Sequence, residues 1–425
     1  MIKTIVTKIL ALEAKIALRR YQPRIIGITG SVGKSSAKEA VAAVLESRFN
    51  IRESIKSYNS ELGMALAVLG LKTAWNSPIG WIKNIIYGFE EIFNKNFPKI
   101  LVLEMGVDRP RDFDKLLKIV RPDIGIVTAV GEIPVHVEFF SGPEEVTREK
   151  SKLVKNLSSD NWAILNFDDE TVWSMSALGE KLKTNASVIG FGFGNGADIL
   201  ASNYKISKEG ISFKMDYKGS SVPVRLKNVF GKHFVYAALS ATAVGIIFEM
   251  NLIEISEALS RYHAPPGRLR LLPGIKNSLI LDDSYNASPL ATEAALDTLK
   301  ELDAERKIVA FGDMLEIGKF TILAHQAAGK KIAKIADYFV AVGPRSRFAA
   351  EEAIAQEMNK SKVINFSTSQ EAASHLKSII REGDLILVKG SQSMRMELIT
   401  EELMAHPEEA QNILARQDEY WKNKK

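Results

Sequence analysis

Cysteine is absent from the chain, which excludes disulfides and thiolate metal sites and leaves oxygen or histidine as the only ligands for a metal. A cysteine-free chain fits a reducing cytoplasm. A strong charge of one sign is lacking as well: 56 lysines and arginines face 51 aspartates and glutamates. That balance argues against a protein that coats nucleic acid and leaves only a weak preference for anionic substrates. The N-terminal stretch MIKTIVTKILALEAKIALRR has no uninterrupted apolar run, because Lys3, Lys8, Glu13, Lys15 and Arg19 break the helical spacing of Ile2, Ile5, Ile9, Leu12 and Ile16. It is neither a membrane span nor a signal peptide. Two readings of residues 1–23 remain: a basic amphipathic helix on an anionic membrane surface, or a helix packed on its own domain. Internal repeats and low-complexity segments are also missing, and only the tail 417–425 reads as frayed. At 425 residues the chain is too long for one ordinary core and predicts two or three domains.

What is present is concentrated between residues 24 and 49, RIIGITGSVGKSSAKEAVAAVLESRF. Ile25, Ile26 and Ile28 form a short β-branched run, as expected of a strand covered on both faces. Gly30 and Gly33 let the backbone bend close to a ligand, with Ser31 between them; Lys34 supplies a cation, Ser35 a hydroxyl for a magnesium ion, and Ser36 follows. The next helix, with Val41, Val44, Leu45 and Phe49 on one face, aims its N-terminal amides and dipole at the same spot. The strict nucleoside-triphosphate loop wants glycine where Ile28 stands, so the match is to a shorter variant, T-G-S-x-G-K-S. A polyphosphate cradle is the expectation; a ligand-free glycine turn is the alternative.

Further along, residues 57–63 read as a loop, and 75–97 as an aromatic-rich helix with Trp81, Ile85, Phe89, Ile92 and Phe93 at helical spacing. Such stripes are mostly core; contact with a membrane or a lipid-bearing partner is the minority reading. Strands are predicted over 99–106, ending in Glu104, over 123–128 and over 162–166, with antiparallel hairpins between 198 and 226 and a helix near 234–249. The segment His263-Ala264-Pro265-Pro266-Gly267-Arg268 is punctuated like a linker. Beyond it, strands at 279–281, 307–311, 338–342, 363–366 and 385–388 alternate with helices. The fold class expected is therefore α/β: a central phosphate-loop ATPase domain (24–262) with a mostly parallel sheet, plus a C-terminal doubly wound, Rossmann-like domain (263–425).

Several segments recur in an order and spacing that resemble the Mur ligases, the ATP-dependent amide ligases of peptidoglycan precursor synthesis. Thr29 to Ser35 is followed by Asn59-Ser60-Glu61-Leu62-Gly63, similar to the family's N-N-x-x-G with Ser60 for the second asparagine, and then by Leu103-Glu104-Met105-Gly106. His136 follows, then Glu149-Lys150-Ser151-Lys152-Leu153, similar to A-K-x-E-[IL]. Asn166-Phe167-Asp168-Asp169 and Gly231-Lys232-His233-Phe234 come next, with Phe234 where asparagine is usual. In the second half, Gly267-Arg268-Leu269 is similar to G-R-M, and Asp282-Asp283-Ser284-Tyr285-Asn286-Ala287-Ser288-Pro289 to D-D-S-Y-N-A-N-P. Gly312 to Gly318 with His325 matches the next block, and Lys389-Gly390-Ser391-Gln392-Ser393-Met394 is similar to K-G-S-R-S-M, with Gln392 for arginine.

The resemblance runs over about residues 24–402 and is strongest to the type that adds D-alanyl-D-alanine to a UDP-N-acetylmuramoyl tripeptide. It implies ATP and two magnesium ions as cofactors, with an acyl phosphate attacked by an amine. Lys34 would hold phosphates; Ser35, Glu104, His136 and a carbamylated Lys150 would hold metal. Asn166, His233, Arg268, Asp283, Tyr285 and Asn286 would line the nucleotide, and Asn59, Lys389 and Ser391 the substrate. Lys34, His136 and Lys150 are the catalytic candidates. A basic helix face made by Lys150, Lys152 and Lys155 is the structural alternative to the carbamate. Typical members carry a further N-terminal domain that grips the UDP-sugar, and residues 1–23 stand in that place here. The UDP end is then held differently, with 75–97 as the candidate contact, or the acceptor is different. A monomer in the cytoplasm or at the inner membrane surface is expected. Two other readings stay open: a related ligase with another acceptor, such as a polyglutamate-adding enzyme, and a non-catalytic nucleotide-gated scaffold.

Overall fold

The computed structural model describes residues 2–55, 60–176, 184–418 and 421. It begins with α1 (Ile2–Tyr21), β1 (Arg24–Thr29), α2 (Lys34–Glu46), β2 (Ile51–Glu53), α3 (Glu61–Leu69), α4 (Pro78–Glu91), β3 (Ile100–Glu104), α5 (Asp112–Leu117) and β4 (Ile124–Val127). It continues through α6 (Pro143–Lys155), β5 (Trp162–Asn166), α7 (Glu170–Trp173), β6 (Ser187–Gly192), β7 (Ile199–Ser207), β8 (Gly210–Tyr217), β9 (Ser220–Lys227), α8 (Lys232–Ile247) and α9 (Leu252–Leu259). These strands form one sheet in the order β2-β3-β1-β4-β5-β6-β7-β8-β9, parallel up to β7 and antiparallel beyond it. β1 lies between β3 and β4, so Ile25, Ile26 and Ile28 are buried, which is why that run is apolar at every position but Gly27.

The second half holds β10 (Arg270–Pro273), β11 (Leu279–Asp283), α10 (Pro289–Glu301), β12 (Arg306–Gly312), α11 (Thr321–Ile332), β13 (Tyr338–Val342), α12 (Arg347–Ala355), β14 (Val363–Phe366), α13 (Ser369–Ile379), β15 (Asp384–Lys389) and α14 (Glu397–Leu403). Its sheet runs β10-β11-β15-β12-β13-β14 and is parallel except for the edge strand β10. The expected α/β class, with a mostly parallel sheet in each half, is the architecture found. Three strands escape the sequence pattern, β2, β6 and β10; two of them are short and carry few fully buried positions.

Two expectations are corrected. The stretch 57–63 is not loop throughout. Ser60 caps α3, its Oγ accepting from the Gly63 amide at 3.2 Å, and Met64 to Leu69 are buried. Asn59 lies outside the described residues. The aromatic stripe on 75–97 is not mostly core: Trp81 and Ile85 are half-buried and Ile92 is buried, but Phe89 and Phe93 stand in solvent, and no residue of the segment lines either cavity described below.

α1 is not free of the central domain; it packs on α3, with α4 against its flank. Of the two readings of residues 1–23, packing on its own domain describes its inner face. Glu13 is buried there under Gly88 of α4, and its Oε2 has no hydrogen-bond partner. Burial raises its carboxyl from the usual 4.5 to about 7. The neutral form is favoured in the folded chain, so this group's stabilising share is complete below about pH 4.5 and is lost as pH climbs through about 7. Thermal unfolding of Glu13→Gln at pH 5 and pH 8 should show a gain in Tm at pH 8 and almost none at pH 5; equal shifts at both would assign the effect to packing alone.

Candidate nucleotide and ligation site

The phosphate loop is shaped by two glycines in left-handed or open backbone. Gly33 has φ +87° at the start of α2, and a side chain on Gly30 would strike the Thr128 hydroxyl. No side chain caps α2, so its first amides face the loop rather than a capping group. Lys34 Nζ donates to the Gly30 carbonyl at 2.9 Å, and Ser35 Oγ donates to Glu104 Oε2 at 2.9 Å. β3 carries Glu104 to the C-terminal edge of the sheet beside β1, which brings two hard oxygens from distant segments together. Thr29 Oγ1 and Ser31 Oγ are buried there without protein partners.

Lys150, on α6, is 2% exposed and donates from Nζ to the Gly30 carbonyl at 3.1 Å. Burial, then the neighbouring Lys34 cation, pushes its ammonium down to about 7. The basic-face alternative fails for this residue: Lys155 is the exposed member, and Lys152 is half-buried, paired with Asp114 and Glu149 at 2.8 Å each. Lys34 is likewise held below the ordinary lysine range, chiefly by burial.

A cavity of about 310 Å³ unites Gly30, Ser31, Lys34, Glu104, His136 and Lys150 from the central domain with Arg268, Tyr285, Asn286 and Ser391 from the second. His136 faces two carboxylates, Asp108 at 3.2 Å and Glu316 at 2.6 Å, the latter from the opposite domain. Among the described residues, no three His, Asp or Glu side chains gather as a metal cluster. The Arg268 guanidinium lies 4.2 Å over the Tyr285 ring. Ser391 Oγ accepts from the Leu315 amide at 2.9 Å. His136–Glu316 is an interdomain contact in partly exposed surroundings, so Glu316→Ala should shift the closed-to-open balance by about 0.2–1 kcal/mol, up to roughly five-fold. Small-angle X-ray scattering would register it as a larger mean radius of gyration, and an unchanged profile would remove the pair from closure.

A second cavity, about 1150 Å³, opens beside the first and is lined by Gly33, Asn166, Asp168, His233 and Tyr236 on one side and α10 on the other. His233 is kept neutral, its pKa driven to about 3 by burial and then by the Lys389 and Arg268 cations, and its Nδ1 is buried without a partner. Asn166 Oδ1 accepts from the Asp168 amide, and Asp168 gathers the amides of Phe193 and Gly194 and the Tyr236 hydroxyl. Phe234, where the resemblance leads one to expect asparagine, is a core residue. Asp283 and Lys389 engage each other at 2.5 Å and line neither cavity.

Some site residues were not visible in sequence. Asp108 reaches His136 from the loop after β3 of the same domain, and Glu316, inside the recognised Gly312–Gly318 segment, becomes its partner only when the domains meet. Trp421 lines the smaller cavity from a tail that reads as frayed, and its carbonyl accepts from Arg395 at 2.9 Å. Arg416 ties the same tail to Glu397 at 2.7 Å and to the Tyr285 carbonyl. A lone tryptophan in a polar tail was the only signal.

A glycine-bent loop feeding a helix, a lysine and a serine beneath it, and a second α/β domain closing over the cavity define a phosphate-loop enzyme that works between two domains. The chain belongs to the Mur ligase family: residues 28–245 match the Mur ligase middle domain and 267–392 the Mur ligase, glutamate ligase domain. It is 28% identical over 402 residues to the UDP-N-acetylmuramoyl-tripeptide--D-alanyl-D-alanine ligase of Bacillus subtilis, covering 93% of this chain and 79% of that one. The enzyme of that name from Escherichia coli is 27% identical over 390 residues, covering 89% and 76%. In fold it is similar to the MurF ligase of Thermotoga maritima solved in complex with ADP, with a TM-score of 0.76 at 22% identity over 93% of this chain and 83% of that chain.

Proposed function

We propose that this protein is an ATP-dependent amide ligase that joins D-alanyl-D-alanine to a UDP-N-acetylmuramoyl tripeptide through an acyl phosphate, working as a cytoplasmic monomer. The observation that carries the reading is the meeting of Lys34, Glu104, Lys150 and His136 with Arg268, Tyr285 and Ser391 in one cavity. The relatives at 27–28% identity carry that activity in their names.

Each part of the chemistry has residues suited to it. The open amides of α2 and Lys34 suit a triphosphate, and the unpartnered hydroxyls of Thr29 and Ser31 need an acceptor or donor that such a ligand would bring. Ser35 and Glu104 offer the hard oxygens that magnesium prefers, with His136 and a carbamylated Lys150 as the further candidates. Magnesium, when bound, neutralises phosphate charge and polarises the transferring group. The larger cavity, with neutral His233 and Asn166, suits the adenosine end. Arg268 and Tyr285, brought in by the second domain, close the smaller cavity and exclude water from a hydrolysable acyl phosphate.

Phosphate release from ATP and magnesium, measured with the UDP-linked tripeptide in the presence and absence of D-alanyl-D-alanine, tests the proposal. Release that requires both, with a product heavier by the dipeptide, is the expected result. ATP binding without release under any of these conditions would move the search to another acceptor.

A further inference from the structure

Most of the exposed large apolar side chains among the described residues sit on two neighbouring helices. On α4 and the turn after it, Ile79, Ile82, Ile86, Phe89 and Phe93 recur every three or four residues, which places them along one stripe, and each is 52–69% exposed. The opposite face of α4 is buried, with Gly88 against Glu13 of α1 and Asn84 donating to the Lys72 carbonyl at 2.9 Å. α1 adds Ile5, Leu12 and Ile16, at 40–59% exposure, also on one helical stripe. The Arg20 guanidinium lies 5.2 Å over the Phe93 ring, which joins the two stripes into one surface. Native surfaces rarely leave so long an apolar row in water without an occupant.

The charges around this surface select the occupant. Lys8, Arg19 and Arg20 on α1, Lys83 on α4 and Lys95 just beyond it are exposed, whereas the only exposed carboxylate on the described parts of the two helices is Glu90. Glu91 is turned inward to Arg52 at 2.8 Å, and Glu13 is buried. An apolar row bordered by cations fits the interface of a bilayer that carries anionic headgroups: isoleucine and phenylalanine enter the acyl boundary while lysine and arginine reach the phosphates. No helix among the described residues is long and apolar enough to cross a membrane, so the contact is peripheral. None of these residues lines either cavity, so docking leaves the site between the domains open.

We propose that the joint face of α1 and α4 docks on an anionic lipid surface and holds the enzyme against the membrane with its two-domain cleft free. The inference is independent of which peptide the enzyme ligates. It is tested by sedimentation of the full chain with vesicles of phosphatidylcholine alone and of phosphatidylcholine with 30% phosphatidylglycerol. The expected result is binding to the anionic vesicles that weakens in high salt and is at least ten-fold weaker on the neutral ones. Ile82→Ser with Phe89→Ser should abolish it. Arg19→Glu with Lys83→Glu should weaken it by roughly five-fold or more for each cation removed. The far-ultraviolet circular dichroism and Tm should stay unchanged in both variants, which reports that they fold, and the charge variant alone decides if the serine pair does not. No sedimentation with anionic vesicles, or equal sedimentation with neutral ones, overturns the proposal. So does a dimer in analytical ultracentrifugation that Ile82→Ser with Phe89→Ser dissociates, since that would assign the face to a second copy of the chain.

Discussion

Lys150→Met and Lys150→Arg are both expected to lower kcat by on the order of 10²–10³-fold, with the arginine variant no better than the methionine one. Lys150 is 2% exposed and sits beside Lys34, and that second cation contributes to driving its ammonium down to about 7. Two ammonium groups side by side in a buried site repel each other, and near neutrality much of Lys150 is free amine. A free amine adds to carbon dioxide, forming an N–C bond and releasing one proton, and the product is an anion. The same neighbour that destabilises the ammonium would then stabilise a carbamate, which would place an oxygen donor in the cavity that holds Glu104. Arginine restores a cation but forms no carbamate, which is why it separates the two roles. Native enzyme in buffer stripped of carbon dioxide should lose activity and regain it on addition of bicarbonate, while both variants stay indifferent to bicarbonate. An arginine variant of near-native kcat would show that Lys150 acts as a cation and that no carbamate is needed.

How much of the fold and the site was legible in sequence depended on how local the signal was. Ile25, Ile26, Ile28 and the two glycines that follow are neighbours in the chain, so β1, the loop and α2 follow from a single contiguous stretch. Glu104 was legible because a strand ending in an acid beside a phosphate loop leads to the carboxyl edge of the sheet. The faces of α4 were not. Periodicity finds an amphipathic helix but cannot say which apolar stripe meets the protein, and Trp81 with Ile92 competed with Ile82, Ile86 and Phe89. His136 was found as a single residue; Asp108 reaches it from a loop of the same domain, whereas its partner Glu316 depends on how two domains meet. The same holds for Trp421, brought to the cavity by a tail held through Arg395 and Arg416.

Another such link, between Asp283 and Lys389, joins two strands 106 residues apart, and breaking it is expected to cost a large share of the stability. β11 and β15 run parallel in a register that sets these two residues side by side at their C-terminal ends. Lys389 Nζ contacts Asp283 Oδ2 at 2.5 Å and donates to the Asn286 carbonyl at 2.9 Å. Both side chains are buried, and burial pushes the carboxyl up and the ammonium down, so each depends on the other to stay charged. Asp283→Ala leaves a buried cation without its partner and should cost about 3–5 kcal/mol, seen as a fall in Tm of roughly 6–20 °C. Asp283→Ala with Lys389→Met removes both charges and should recover most of that loss. The double variant also separates support from chemistry. Recovery of Tm together with activity would mean that the pair only positions Tyr285 and Asn286 at the cavity. Recovery of Tm with activity still lost would mean that Asp283 or Lys389 meets the nucleotide or the peptide once the domains close.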